Sequence, residues 1–147
     1  MNFEIIDCDR SHLPALCELE NRCFSDAWTE DALASQLPDR FHSFIAAKSG
    51  DSLLGYVCMT HIIDEAEISN VAVDPAYRRQ GIGAALVAEM LSRADQMGME
   101  RIMLEVRESN VPAKALYERH GFVPYGKRKN YYENPREDAV LMMKNMK

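Results

Sequence analysis

Two glycines, Gly81 and Gly83, open an apolar helical stretch directly after a β-branched run, Val71-Ala72-Val73, and a turn, Asp74-Pro75. A strand that ends in a tight turn and passes through glycines into a helix brings several backbone N–H groups to one spot. The helix N-terminus adds roughly half a positive charge there, which suits a phosphate or pyrophosphate. Two familiar phosphate-binding patterns do not fit. No Gly-Lys-Ser/Thr follows, so the stretch is not a Walker loop. Leu86 stands where the third glycine of a dinucleotide fingerprint would be.

The 147 residues correspond to one domain, expected over 1–147. Hydrophobic residues make up 47% and charged residues 27%, which excludes a disordered chain. No apolar run approaches the length of a membrane span, and Met1–Asp7 lacks the basic and apolar regions of a secretory signal. The expectation is a cytoplasmic protein with no membrane partner. A net charge of −6 argues against nucleic acid as partner. That charge is uneven: residues 1–70 hold 4 Lys+Arg against 13 Asp+Glu (−9), and residues 71–147 hold 13 against 10 (+3). Cys8, Cys17, Cys23 and Cys58 form no CxxC pair and have no histidine at metal spacing, so reduced thiols and no metal are expected.

Strands are expected at Phe3–Asp7, Phe41–Lys48, Leu53–Ile63, Ala66–Val73, Arg101–Val106, Phe122–Arg128 and Ala139–Lys144. Helices are expected over 11–21, after Thr29 as N-cap, over Ile82–Met97 and over Pro112–Arg119. Trp28 and Leu33 stand at staple positions around Thr29, and Gly98 and Gly121 end helices. Hairpins mixed with strand–helix–strand units imply an α/β domain with a mixed sheet, not a doubly wound parallel one. Flanked by Leu104 and Val106, Glu105 points to the opposite face of its strand, and Glu65 and Glu67 share a face of theirs.

Arg78-x-x-Gly81-x-Gly83 after Val-Ala-Val-Asp-Pro resembles the acetyl-CoA pyrophosphate loop of the GNAT superfamily of N-acetyltransferases. Asn110-x-x-Ala113-x-x-Leu116-Tyr117-x-x-x-Gly121-Phe122 is similar to that superfamily's downstream signature. Within it the chain resembles the RimI-type ribosomal-protein alanine N-acetyltransferases. The residues that carry this are Asp64-Glu65-Ala66, Leu104-Glu105-Val106-Arg107-x-Ser109-Asn110, Arg128-x-Asn130-Tyr131-Tyr132 and Glu137-Asp138-Ala139. The resemblance implies a GNAT-like single domain with a mixed, mostly antiparallel central sheet and helices on both faces. It also implies acetyl-CoA as co-substrate and direct acetyl transfer to a protein N-terminus, the N-terminal alanine of a basic small-subunit ribosomal protein foremost.

Residue by residue, Val71, Ala72 and Val73 are expected to offer strand backbone to the pantetheine arm. Arg79, Gln80, Gly81, Ile82, Gly83 and Ala84 are expected to cradle the pyrophosphate, and Asn110 to hydrogen-bond the cofactor where two strands splay apart. Glu105 is expected to be the base and Tyr117 the acid that protonates the leaving thiolate, with a backbone N–H near Val73 holding the thioester carbonyl. Glu67 is a rival base or an anchor for a cationic N-terminus. Arg128, Tyr131 and Tyr132 are expected to wall the peptide entrance from a loop between the last two strands. Deprotonating an α-amine at pH 7 costs about 1.1 kcal/mol, against about 4.6 for a lysine, so a modest base suffices for N-termini. The alternatives are an acetyltransferase for lysine, polyamine or another small amine, and a CoA-binding module without turnover.

Overall fold

Alternation along two neighbouring strands, β4 (Glu65–Val73) and β5 (Arg101–Arg107), sends Ala66, Ile68, Ile102, Leu104 and Val106 to one face of a sheet. The computed structural model describes residues 2–146. The other strands are β1 (Glu4–Asp7), β2 (His42–Ser49), β3 (Ser52–Ile62), β6 (Val123–Tyr132) and β7 (Glu137–Asn145). Their order in the sheet is β1-β2-β3-β4-β5-β7-β6. Every pairing is antiparallel except β4 with β5, which are joined through the crossover helix α3 (Ile82–Gln96).

Helices cover both faces, as the resemblance implies. Ile82, Leu86, Val87, Met90 and Ala94 of α3 pack on one face, joined by Tyr117 of α4 (Val111–Arg119) and by Phe122. On the other face Leu13, Leu16 and Leu19 of α1 (Leu13–Cys23) and Leu33 of α2 (Glu30–Ser35) cover Phe44, Ala46, Tyr56, Cys58 and Ala72. Thr29 caps α2 by accepting the Ala32 N–H at 3.1 Å, and Trp28 and Leu33 belong to the same apolar cluster. The helix expected over 11–21 begins later. A 3-10 turn at Arg10–His12 precedes it, stabilised by Asp9, which accepts the Ser11 N–H, and by His12, whose Nδ1 accepts the Asp9 N–H.

One expectation is corrected. Arg128, Asn130, Tyr131 and Tyr132 do not lie in a loop between the last two strands; they form the second half of β6. Register runs from Arg128↔Ala139 to Tyr132↔Glu137, so four steps on β6 face two on β7. The surplus makes a bulge in which Asn130 takes φ +51° and its N–H donates to Asp138 Oδ1 at 2.9 Å. An edge strand exposed along almost all its length carries no burial alternation, so its polar run reads as a loop. Among the described residues no helix is long and apolar enough to cross a membrane.

Gly55 ties β3 to the strand that leads into the glycine loop. A Cβ there would stand 2.7 Å from the Ala72 carbonyl oxygen, a backbone atom held in the middle of the sheet. Gly55→Ala is therefore expected to cost about 1–3 kcal/mol in urea unfolding. An unchanged midpoint would mean that β3 and β4 shift apart without loss.

Candidate active site

The sheet opens into a fork at its centre. Strands β4 and β5 pair only from Glu65↔Arg101 to Ile68↔Leu104. Beyond that point Ser69 interrupts the register of β4 against β3, with Ile68 opposite Met59 and Asn70 opposite Cys58. From there β4 follows β3 and leaves β5. The Asp74 N–H donates to the Leu54 carbonyl at 2.8 Å, so alternation turns the backbone groups of Val71 and Val73 away from β3 and into the fork. The Val73 carbonyl there accepts from the Cys23 thiol at 3.3 Å and from Arg78 Nε at 3.1 Å. Ala72 departs from expectation. The same alternation directs its backbone at β3 and buries its side chain under α1, so of Val71, Ala72 and Val73 only the two valines present backbone to the fork.

The N-terminus of α3 lies beside this opening. Gly81 takes φ +82° and Arg79 φ +65°, which bends the loop so that the first N–H groups of α3 face outward. No side chain caps them, whereas Thr29 caps α2 and Asn110 caps α4. Ile82 is buried and can present only its backbone to a ligand, while Arg79 and Gln80 are exposed beside it. At Gly83 a Cβ would come within 3.3 Å of Leu116 and 3.5 Å of Val73, so the glycine lets α3 start close against β4 and α4. Ala84 completes the first turn. Such a cradle could hold a pyrophosphate by backbone alone. Asn110 accepts the Ala113 N–H at 3.2 Å through Oδ1, which leaves its Nδ2 as the donor available to a ligand.

Across the fork, on the α1/α2 face, stand Glu67 and Glu105, brought to one side because Glu67 is level with Met103 in the parallel register. One oxygen of Glu105 lies 3.6 Å from the Arg128 guanidinium; the other, Oε2, is buried with no hydrogen-bond partner among the described residues. Partial burial and the neighbouring Glu105 push the Glu67 carboxyl above the ordinary range, and Arg128 opposes that shift. Arg128 also lies 5.2 Å from the ring centre of Tyr131, which packs edge-to-face on Tyr132 at 5.0 Å. Burial, and then a hydrogen bond to Glu105, push the Tyr131 phenol up. Tyr117 approaches from the opposite face. It is 6% exposed and packed edge-to-face on Phe122 at 5.9 Å. Burial, followed by the nearby Tyr132, pushes its ionisation well above that of a free tyrosine. Glu67, Glu105, Arg128, Tyr131 and Tyr132 thus gather at one fork, with Tyr117 reaching it from behind and the anion cradle alongside.

The family model described as the acetyltransferase (GNAT) family matches residues 13–122. The chain belongs to the GNAT family. The [ribosomal protein bS18]-alanine N-acetyltransferase of Escherichia coli (strain K12) is 36% identical over 140 residues, covering 94% of each chain. A crystal structure of the ribosomal-protein-S18-alanine N-acetyltransferase from Escherichia coli superposes with a TM-score of 0.92 at 33% identity, over 99% of this chain and 94% of that one. The PaiA N-acetyltransferase from Thermoplasma acidophilum, solved in complex with coenzyme A, shares the fold at a TM-score of 0.82 and 18% identity, over 99% of each chain.

Two groups in this GNAT acetyltransferase escape sequence reasoning. Arg107, at the end of β5, donates to the Glu133 and Pro135 carbonyls at 2.7 and 2.8 Å and to Glu137 at 3.1 Å, and stacks over Tyr132 at 4.5 Å. It thereby fastens the β6–β7 turn. Ser25 on the α1–α2 connection reaches the same turn through the Asn134 carbonyl at 3.0 Å. Glu20 on α1 is a carboxylate at 1% exposure, hydrogen-bonded to the Trp28 N–H and the Tyr56 hydroxyl. Burial pushes its carboxyl up, and both hydrogen bonds pull it back. Its only trace in the sequence is a glutamate placed right after Leu19 on the helix face that bears Leu13 and Leu16.

Proposed function

We propose that this acetyltransferase transfers the acetyl group of acetyl-CoA to the N-terminal α-amine of a protein, with an N-terminal alanine of the bS18 type as its substrate. The observation that carries this reading is Glu105 Oε2, a buried carboxylate oxygen at the fork with no hydrogen-bond partner among the described residues. Buried polar atoms are nearly always satisfied, so an unpaired one at a cleft points to a group the substrate supplies. The acyl donor supplies an activated thioester. The N–H groups of Gly81, Ile82, Gly83 and Ala84 and the Arg79 side chain hold its pyrophosphate, with Gln80 beside them. The backbone of Val71 and Val73 lines up its arm, and their N–H groups polarise the thioester carbonyl. Asn110 Nδ2 gives a further hydrogen bond.

Glu105 accepts the proton that the amine must lose, and the Tyr117 hydroxyl donates a hydrogen bond to the departing sulfur. Glu67 and Glu105 together make the mouth of the fork anionic, which suits an α-ammonium group on arrival, while Tyr131, Tyr132 and Arg128 wall the approach. The net −9 of residues 1–70 favours encounter with a basic protein.

One peptide tests this, carrying a free N-terminal alanine and an internal lysine. After incubation with acetyl-CoA, fragmentation mass spectrometry locates the acetyl group. It is expected on the α-amine alone, with kcat/KM rising as pH approaches about 8 and the amine deprotonates. Acetyl on the lysine would replace this reading with a lysine or small-amine acetyltransferase, and coenzyme A binding without any turnover would replace it with a binding module.

A further inference from the structure

Glu20, buried between α1 and the sheet, lies at the end of a hydrogen-bonded chain that runs to the fork. Tyr56 donates its hydroxyl proton to Glu20 Oε1. Having given away its one proton, the Tyr56 oxygen is an acceptor, and Asn70 Nδ2 donates to it at 2.7 Å, with Glu20 Oε1 a further 3.5 Å contact. The Asn70 carboxamide can then face only one way. Its Oδ1 is turned outward and accepts the Val71 N–H at 3.1 Å. One buried negative charge therefore fixes the polarity of three groups in a row: carboxylate, hydroxyl, amide.

The place where this chain ends matters. Asn70 follows the Ser69 irregularity and lies two residues past the last β4–β5 pair, Ile68↔Leu104. With β5 gone, the Val71 N–H is a backbone donor without a strand partner, and Asn70 supplies one. On the face that α1 covers, Tyr56, Cys58, Asn70 and Ala72 form a patch of the sheet floor directly behind that N–H.

We propose that Asn70 is a positioning residue for acetyl transfer, held by Glu20 through Tyr56, and that it orients the Val71 N–H at the fork for the thioester carbonyl. When the acyl donor arrives, the N–H exchanges Asn70 Oδ1 for the carbonyl oxygen. Because the carboxamide cannot rotate, the N–H is already aimed. This rests on the reading of Val71 as a donor at the fork, and it adds a route from the buried core to the rate.

The test is a double-mutant cycle in Asn70→Ala and Tyr56→Phe, run on whichever amine the unaltered enzyme accepts. Losing an aimed backbone donor altogether costs 10²–10³ in kcat, so misaiming one is expected to cost about tenfold. Each single variant is expected to lower kcat about tenfold with KM for acetyl-CoA within about twofold. The double variant is expected to match Asn70→Ala alone, since Tyr56 acts only through Asn70. Unchanged kcat in Asn70→Ala overturns the proposal, and so do losses that multiply in the double variant. Asn70 is half-buried, so its variant decides the matter even if Tyr56→Phe fails to fold. Acetylation of a lysine by the unaltered enzyme would overturn the substrate reading while leaving these ratios measurable.

Discussion

Glu105→Gln is expected to lower kcat by about 10²–10⁴-fold, the range in which a positioned general base contributes, while coenzyme A still binds within about twofold by calorimetry. Glutamine keeps the length and shape of the side chain and can still accept a hydrogen bond. It cannot take the proton that the substrate nitrogen must lose for the amine to attack. The cost to the fold is small, because Oε2 has no partner among the described residues, Oε1 meets Arg128 only at 3.6 Å, and the amide oxygen of glutamine can still accept from Tyr131. Replacing the carboxylate also removes one cause of the upward shift at Glu67, whose pKa should fall towards that of an ordinary glutamate. A raised carboxyl favours the folded state at low pH and loses that contribution as pH rises through the raised value. The variant should therefore lose less stability than the parent over that rise, as a pH series of urea midpoints would read. The control is Glu67→Gln. If it abolishes turnover while Glu105→Gln does not, the base is Glu67.

The difference between these two glutamates shows which parts of the molecule the sequence makes legible. That Glu105 opposes Leu104 and Val106 follows from strand alternation, and that Glu67 shares its side follows only from the parallel register, a long-range fact. The strand–glycine–helix unit around Gly81 is local, and the structure has it as expected. The mixed sheet was legible too, since strand and helix periods alternate clearly through α3 and β5, while helices on both faces followed only from the resemblance to the GNAT superfamily. Less legible was everything decided by pairing. Ala72 sits between two valines of like character, and only its hydrogen bonding towards β3 removes it from the fork. The β6 bulge lies in an exposed edge strand, where no buried side chain imposes a period of two. Arg107 and Glu20 gain their meaning from partners distant in sequence, such as Asn70, 50 residues from Glu20, and Glu133, 26 residues from Arg107. No local pattern encodes such contacts.

Tyr117→Phe separates chemistry from stability. Its ring is packed on Phe122 and needs no hydroxyl for that. The hydroxyl makes no hydrogen bond with any described residue, although the side chain is 6% exposed. What exposure the side chain keeps leaves that hydroxyl in reach of water, so phenylalanine gives up no hydrogen bond within the fold and should leave the melting temperature little changed. A tyrosine is protonated at neutral pH, and burial pushes this phenol's ionisation higher still. The hydroxyl therefore has a proton to offer, but passing it fully to a thiolate, whose conjugate acid ionises near 8.5, is uphill. The phenol accordingly acts as a hydrogen-bond donor while the sulfur departs, and its removal should cost less than removal of the base: about 10–10²-fold in kcat, with KM for acetyl-CoA little changed. A variant that turns over at the parental rate would hand the leaving group to water. One that melts well below the parent would show that the hydroxyl is bound within the fold, and Tyr117 would then belong to the core and not to the reaction.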